Sequence, residues 1–309
     1  MCTIIGAGFA TGKELLTYFT AYGTIGFVGI FISAILFSVI IHKIMLCPCN
    51  TLEELLEPYF FGKILYIIIN IFLVVLYSAM LSASGEVLNQ IFGISNIIGI
   101  VISAFLTSIV IVKGYERVAD LSQVLFVPIV VIIFVISLMT TEKNIAVAPA
   151  TIVTTKAVLS PFIYVSYNML TAIPLLICIP NKYMYKSCSY QIGSVIFMLS
   201  VLIMLPLYTH YSSIAGSSLP IIELLSGNIK YLYLLLLLIA IFSTSVSSAY
   251  SFIHSLREFK TLIAVVVTNV LAILLSLVGF SNIVGKVYCI FGVAGGVLMW
   301  VVLKGVREK

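Results

Sequence analysis

From Ile25 to Leu303 the chain repeats one pattern: a run of apolar residues, a short polar connection, then another such run. A bilayer core is about 30 Å thick, and a helix of about 20 apolar residues crosses it. Backbone N–H and C=O groups find no water there, so such runs form helices that satisfy their own bonds. The runs fall at about 25–46, 64–90, 94–112, 118–139, 157–179, 191–208, 231–253, 262–278 and 283–303, and an interrupted one precedes them at 1–22. Of the 309 residues 62% are hydrophobic and 9% charged, with a mean hydropathy of +1.24. A soluble domain carries about 25% charged residues. The fold class expected is therefore an all-α polytopic membrane protein of about ten transmembrane helices, a single integral membrane domain.

Charge sets the orientation. With a cytoplasmic N-terminus, ten spans place Lys43, Lys63, Lys113, Arg117, Lys182, Lys186, Arg257, Lys260, Lys304, Arg307 and Lys309 inside. Lys143, Lys156, Lys230 and Lys286 fall outside. Cytoplasmic loops carry the excess of Lys and Arg, so both termini are expected in the cytoplasm and the chain in the cell (plasma) membrane. The net charge of +5 reflects this asymmetry and gives no reason to expect nucleic acid as a partner. Among the connections, Thr51-Leu52-Glu53-Glu54 is a capping box opening a short interfacial helix that stops at Pro58. Pro220 to Gly227 suits another short helix, in the position of a lid.

The first segment differs from the others. Ile4-Ile5-Gly6-Ala7-Gly8-Phe9-Ala10-Thr11-Gly12 sets three glycines into an otherwise membrane-compatible run. Irregular backbone at membrane depth is tolerated where it lines a cavity, and glycine leaves the backbone bare for a solute to approach. An unwound midpoint of a transmembrane helix is expected here. Gly6, Gly8 and Gly12 also match a loose dinucleotide fingerprint, but that motif needs a preceding strand and a soluble βαβ unit. Nothing upstream can be that strand. A second interruption is expected in the sixth segment, where Pro161 and Pro174 bracket Tyr164, Ser166, Tyr167 and Asn168.

Segments one and six open two five-helix halves, 1–140 and 156–304, joined by a linker at 141–155. An odd number of helices per half makes an internal repeat inverted, and paired broken helices in corresponding positions point to a transporter site. Half-helix N-termini favour an anion and freed carbonyls a cation, which suits the two ends of a zwitterion. Enzymatic signatures are lacking: there is no HExxH, no Gly-x-Ser-x-Gly and no paired Asp within a helix. Cys47-Pro48-Cys49 has no second Cys/His pair at zinc spacing. Neither an enzyme nor a cofactor is expected, sodium apart as a coupling ion.

The run Gly6-Ala7-Gly8-Phe9-Ala10-Thr11-Gly12-Lys13-Glu14, together with Tyr164-Val165-Ser166-Tyr167-Asn168, resembles the YkvI-like amino-acid permeases. These are bacterial members of the amino acid–polyamine–organocation (APC) superfamily. The resemblance runs over the whole chain, and the N-terminal motif is its specific part. It implies the leucine-transporter fold, a 5+5 inverted repeat with helices one and six discontinuous, and secondary transport by alternating access. In members of that fold that use sodium, the ion sits between helices one and eight. Its ligands are two carbonyls before the helix-one break, a helix-eight carbonyl and two adjacent hydroxyls three and four residues on. Ala240-x-x-Ser243-Thr244 matches that spacing, and Cys2 and Ile5 stand where the first carbonyls would be. Uncharged oxygen ligands suit a monovalent ion. The bland alternative is that these hydroxyls bond back to their own helix or hold helices together.

The same resemblance implies a substrate site at Gly6, Ala7, Gly8 and Phe9, with the amides of Ala7 and Gly8 on a carboxylate. Tyr164, Ser166 and Asn168 would face the amine or side chain, with Tyr77 covering the pocket. Intramembrane charge is scarce, and Lys13, Glu14 and Glu86 are functional candidates on that ground. Lys13 and Glu14 are neighbours and cannot face one another on a helix; just beyond the break they read as an outer gate or a tie to helix three. A structural ion pair is the alternative. Helix five has no lysine of the kind some proton-coupled relatives place at the sodium position, which favours sodium. The function expected is a cation-coupled symporter, monomer or homodimer, for a small amino acid or related amine. The alternatives are a proton-coupled carrier or exchanger, and a non-transporting solute sensor like the permease-like subunits of spore germinant receptors. A complete first helix needs roughly ten more residues before the break; Met1 to Ile5 precede it here.

Overall fold

The computed structural model describes residues 4–140, 151, 153–179, 188–217, 219–227, 229–256, 260–278 and 280–305, with 280–290 described by backbone course alone. The first apolar segment is in pieces: α1 (Ala7–Ala10), α2 (Lys13–Tyr18) and a 3-10 turn (Thr20–Tyr22). Then come α3 (Ile25–Met45), α4 (Leu52–Leu56), α5 (Gly62–Phe92), α6 (Asn96–Val112) and α7 (Tyr115–Thr140). The second half holds α8 (Thr155–Ile177), α9 (Cys188–Thr209), α10 (Tyr211–Ile214), α11 (Pro220–Glu223), α12 (Ile229–Ser255), α13 (Thr261–Ser276) and α14 (Phe280–Gly305). A helix thus stands at each of the ten apolar segments. Among the described residues six are long and apolar enough to cross a membrane alone: α3, α5, α7, α8, α9 and α12. α6, α13 and Phe291–Gly305 of α14 are shorter apolar helices.

The starts follow capping chemistry. Thr51, Ser95 and Thr154 each accept a hydrogen bond from an amide three residues on, opening α4, α6 and α8. The capping box closes on the far side too, since the Asn50 amide donates to Glu54 Oε2 at 2.9 Å. Burial then sorts the helices. Of the most apolar stretch, 78% is buried in α8 and 72% in α12 against 28% in α7, so α8 and α12 are central and α7 peripheral. α5 lies along α12, α6, α13 and α14, while α8 lies against α14 and α3, and α3 also against α9. Val28, Phe31, Ile35 and Val39 form an outward stripe on α3 at helical spacing, the face that lipid covers.

The break in segment one centres on Thr11-Gly12. Gly12 has φ 76°, in the left-handed region open to glycine, and Gly6 is extended ahead of α1. The turn meets its polar groups locally. Thr11 Oγ1 donates to Gly8 O at 2.8 Å and accepts from the Lys13 amide at 3.3 Å. Tyr233 of α12 donates its hydroxyl to Ala10 O at 3.2 Å.

Segment six corrects the expectation of a second break, because α8 is helical straight through Ser166–Asn168. Its polar residues bond within the helix: Asn168 Nδ2 donates to Tyr164 O at 2.9 Å and Thr171 Oγ1 to Asn168 O at 2.8 Å. Pro161 falls in the second turn and Pro174 in the last, so the stretch between them keeps its backbone ladder. Cys178 Sγ donates to Pro174 O at 3.1 Å, tying off the end. Lipid supplies no hydrophobic drive between helices, so close contact of small residues holds them. One such contact is α14 on α8, where a Cβ on Gly295 would overlap the Ser166 backbone.

Candidate functional site

The Gly12 turn decides what Glu14 meets. In an unbroken helix Glu14 would lie over Ala10 and Thr11. The turn instead brings its carboxyl back onto Gly8, so that a Cβ on Gly8 would overlap Glu14 Oε1. Glu14 is 8% exposed, and its Oε2 has no hydrogen-bond partner. The Tyr167 hydroxyl and Tyr164 are neighbours of that carboxyl.

Glu14, Gly6, Ala7 and Gly8 form one wall of a cavity of about 30 Å³. Phe72, Leu76 and Met80 of α5 form the second wall, and Tyr167, Asn168 and Thr171 of α8 with Thr244 of α12 the third. That space has room for an ion, a water or an ammonium-sized group. Behind it Tyr18, Tyr164 and Tyr167 cluster, with ring centroids 5.6–6.0 Å apart.

The expected site residues divide. Gly6, Ala7, Gly8, Asn168 and Thr244 come together at the cavity. Phe9 is fully buried in the core instead. Ser166 is turned away, its hydroxyl donating to Gly292 O on α14. Tyr77 also points elsewhere: its hydroxyl donates to Asn269 Oδ1 of α13 at 2.7 Å, and Asn269 donates on to Ser108 of α6 at 2.8 Å. It ties α5, α13 and α6 together rather than covering the pocket.

At the helix-eight position, Ser243 Oγ is buried and unpartnered, while Thr244 Oγ1 donates to Ala240 O at 3.0 Å. Ile5 is fully buried, and Cys2 lies outside the described residues.

The three charged candidates separate. Lys13 Nζ donates to Ser217 O at 2.6 Å, in the loop before α11, rather than reaching α5. Ser217 in turn donates to Glu223 of α11. Ile221 of that helix covers Gly12, so the lid lies over the break. Glu14, expected at an outer gate, is in the cavity. Glu86 is exposed and lines a separate small cavity under the lid with Ala7, Thr11 and Leu219. At the opposite end an apolar cavity of about 190 Å³ opens between Ile4, Ile41, Tyr115, Val118, Leu175 and Ile192. In the α3–α4 connection, burial first and Cys47 second push the Cys49 thiol up to about 12, so this thiol stays protonated. Among the described residues no three His, Cys, Asp or Glu side chains gather as metal ligands would.

Tyr167 and Thr171 are the site residues that the sequence reading passed over. Tyr164, Tyr167, Asn168 and Thr171 stand at i, i+3, i+4 and i+7, one face of an unbroken helix. That spacing was the available signal.

No protein-family profile matches the chain. It is 25% identical over 316 residues to the uncharacterized membrane protein YkvI of Bacillus subtilis (strain 168), spanning 94% of this chain and 89% of that one. Its structure is similar to the crystal structure of an Eremococcus coleocola manganese transporter in complex with an aromatic bis-isothiourea substituted compound. The TM-score is 0.59 at 13% identity, covering 96% of this chain and 72% of that one. At such identity the likeness is one of fold, and with the apolar helices it makes the chain a multi-pass, all-helical membrane protein with the architecture of that transporter.

Proposed function

We propose that the chain is a secondary active transporter of a small amino acid or related amine, working by alternating access. The observation that carries this reading is the Gly6–Glu14 segment, a broken helix in the middle of the bundle that sets bare backbone and one carboxyl against a cavity. The two ends of the molecule differ as one state of such a cycle requires. The lid end is held shut by Lys13 and α11, and the other end holds the larger cavity. An inverted five-helix repeat draws support from packing. Pairing each helix of the first half with its counterpart leaves the α3–α9 and α5–α12 contacts unchanged and exchanges α5–α13 with α12–α6 and α5–α14 with α12–α7. The loop charges favour cytoplasmic termini in a cell membrane.

Sodium is the coupling ion we favour. Ser243 Oγ is a buried oxygen in want of a partner one turn from Ala240 O, and Thr244 beside it reaches the cavity. Thr244 is bonded back to Ala240 and would have to release it on binding. A proton is the alternative. A divalent-metal cargo is the second reading, because the similar solved structure is that of a manganese transporter. Against it stands the cavity's single carboxylate, since divalent cations gather several hard oxygen ligands.

The test is flux into proteoliposomes holding the purified chain, with an amino-acid mixture outside and an imposed sodium gradient. Concentrative uptake is the expected result. Solute binding without flux would make the chain a sensor, and uptake of manganese in place of amino acids would favour the second reading.

A further inference from the structure

We infer that Glu14 is the counter-charge for the ammonium group of the cargo, so that this site selects amines and repels carboxylates. The inference rests on the reading of the cavity as the cargo site. An ionised carboxylate buried without a partner is costly, and a buried charge is normally paired or neutralised. Among the described residues Glu14 has no such partner. The ammonium next to it in sequence, that of Lys13, is turned outward to Ser217 O. The ion pair of Arg117 with Asp120 stands apart from it, on exposed side chains at a helix end. What faces the Glu14 carboxyl is neutral: the Tyr167 hydroxyl, the Tyr164 ring, and the Gly8 backbone.

Three further observations fit an ammonium. Glu14 Oε2 and the Tyr164 hydroxyl are both buried and unpartnered, leaving acceptors for N–H donors. The cavity of about 30 Å³ beside the carboxyl has room for an ammonium head group. The Tyr167 ring lines the cavity with Tyr18 and Tyr164 clustered on it, and aromatic faces attract cations within about 6 Å. A carboxylate of the cargo placed at Gly8, by contrast, would meet Glu14 Oε1 as a like charge.

Three probes that share one two-carbon unit separate the charges: ethylamine carries only the ammonium, propionate only the carboxylate, and alanine both. Their binding to the purified full chain is measured by thermal shift and calorimetry, beside Glu14→Gln and Glu14→Asp, with methylammonium, putrescine and manganese chloride as further arms. Ethylamine or another amine should stabilise the wild type, propionate should not, and Glu14→Gln should weaken amine binding at least tenfold while Glu14→Asp retains part of it.

A second readout needs no variant. Dicyclohexylcarbodiimide modifies buried carboxyls, and ethylamine should protect Glu14 from it where propionate does not. Amine binding unchanged in Glu14→Gln, propionate bound as well as ethylamine, stabilisation by manganese but no amine, or no amine effect in either assay would each overturn the inference. Amine binding at Glu14 without flux would leave it standing and remove the transport reading. Flux unaltered by Glu14→Gln would do the reverse.

Discussion

The carboxyl of Glu14 rests against the Cα of Gly8, in the space that a Cβ would occupy. Two residues that sequence reasoning assigned to different jobs, backbone donor and outer gate, are one contact. The glycine is required by its neighbour's side chain as much as by any solute.

Gly8→Ala should therefore act through Glu14. Forcing the carboxyl away from the cavity is expected to weaken ethylamine binding at least tenfold, about 1.4 kcal/mol. In a Glu14→Ala background the same change should cost little further, because the overlapping atoms are gone. Calorimetry on the four proteins gives the coupling directly. Equal losses in both backgrounds would mean that Gly8 acts independently of Glu14.

Gly295 and Gly292 should behave differently although they lie one turn apart on α14. A Cβ on Gly295 would overlap the Ser166 backbone, whereas on Gly292 it would meet only an Ile163 methyl at 3.6 Å. Overpacking costs about 1–3 kcal/mol. Gly295→Ala should lower the melting temperature in detergent by several degrees and Gly292→Ala should leave it nearly unchanged.

Ser243→Ala with Thr244→Ala should abolish sodium dependence of uptake while leaving expression intact. Two of about five oxygen ligands disappear, whereas loss of helix-to-helix hydrogen bonding alone costs only about 0.6–2 kcal/mol. Uptake that still follows the sodium gradient in the double variant would assign these hydroxyls to the helix instead.

Lys13→Met should loosen the lid without emptying the cavity. Its ammonium donates to Ser217 O, and no other charged group ties the break to that loop among the described hydrogen bonds. With a reporter cysteine at Ala83, beneath the lid, and the native cysteines removed, labelling by an external thiol reagent should quicken severalfold. An unchanged labelling rate would show that α11 is held by its apolar contacts.

The ten apolar segments were legible because hydrocarbon thickness leaves one length and one conformation for each. The broken first segment was legible for a related reason: glycines in such a run have few other uses. The site was less so, and the errors share a cause. Carrying the site over from the resembled family, onto a segment read as interrupted, put alternate residues, Tyr164, Ser166 and Asn168, on one surface. In the continuous helix α8 the cavity face is Tyr167, Asn168 and Thr171, and Ser166 turns to α14. Tyr77 fails by one position: Leu76 and Met80 line the cavity, and a step of one residue turns the side chain about 100° away. The return of Glu14 onto Gly8 depends on a left-handed turn at Gly12, and no local pattern announces which direction the chain leaves such a turn.

Lys13 and Glu14 are joined by a single peptide bond at the head of a helix only six residues long. One reaches up to the loop beneath the outer door, the other down to the chamber. A short helix held at both faces couples the two contacts. Were the loop to lift and draw Lys13 with it, Glu14 would be drawn off Gly8 as well, and its carboxyl out of the chamber wall. Access and grip would then change in one stroke, from a hinge of one glycine.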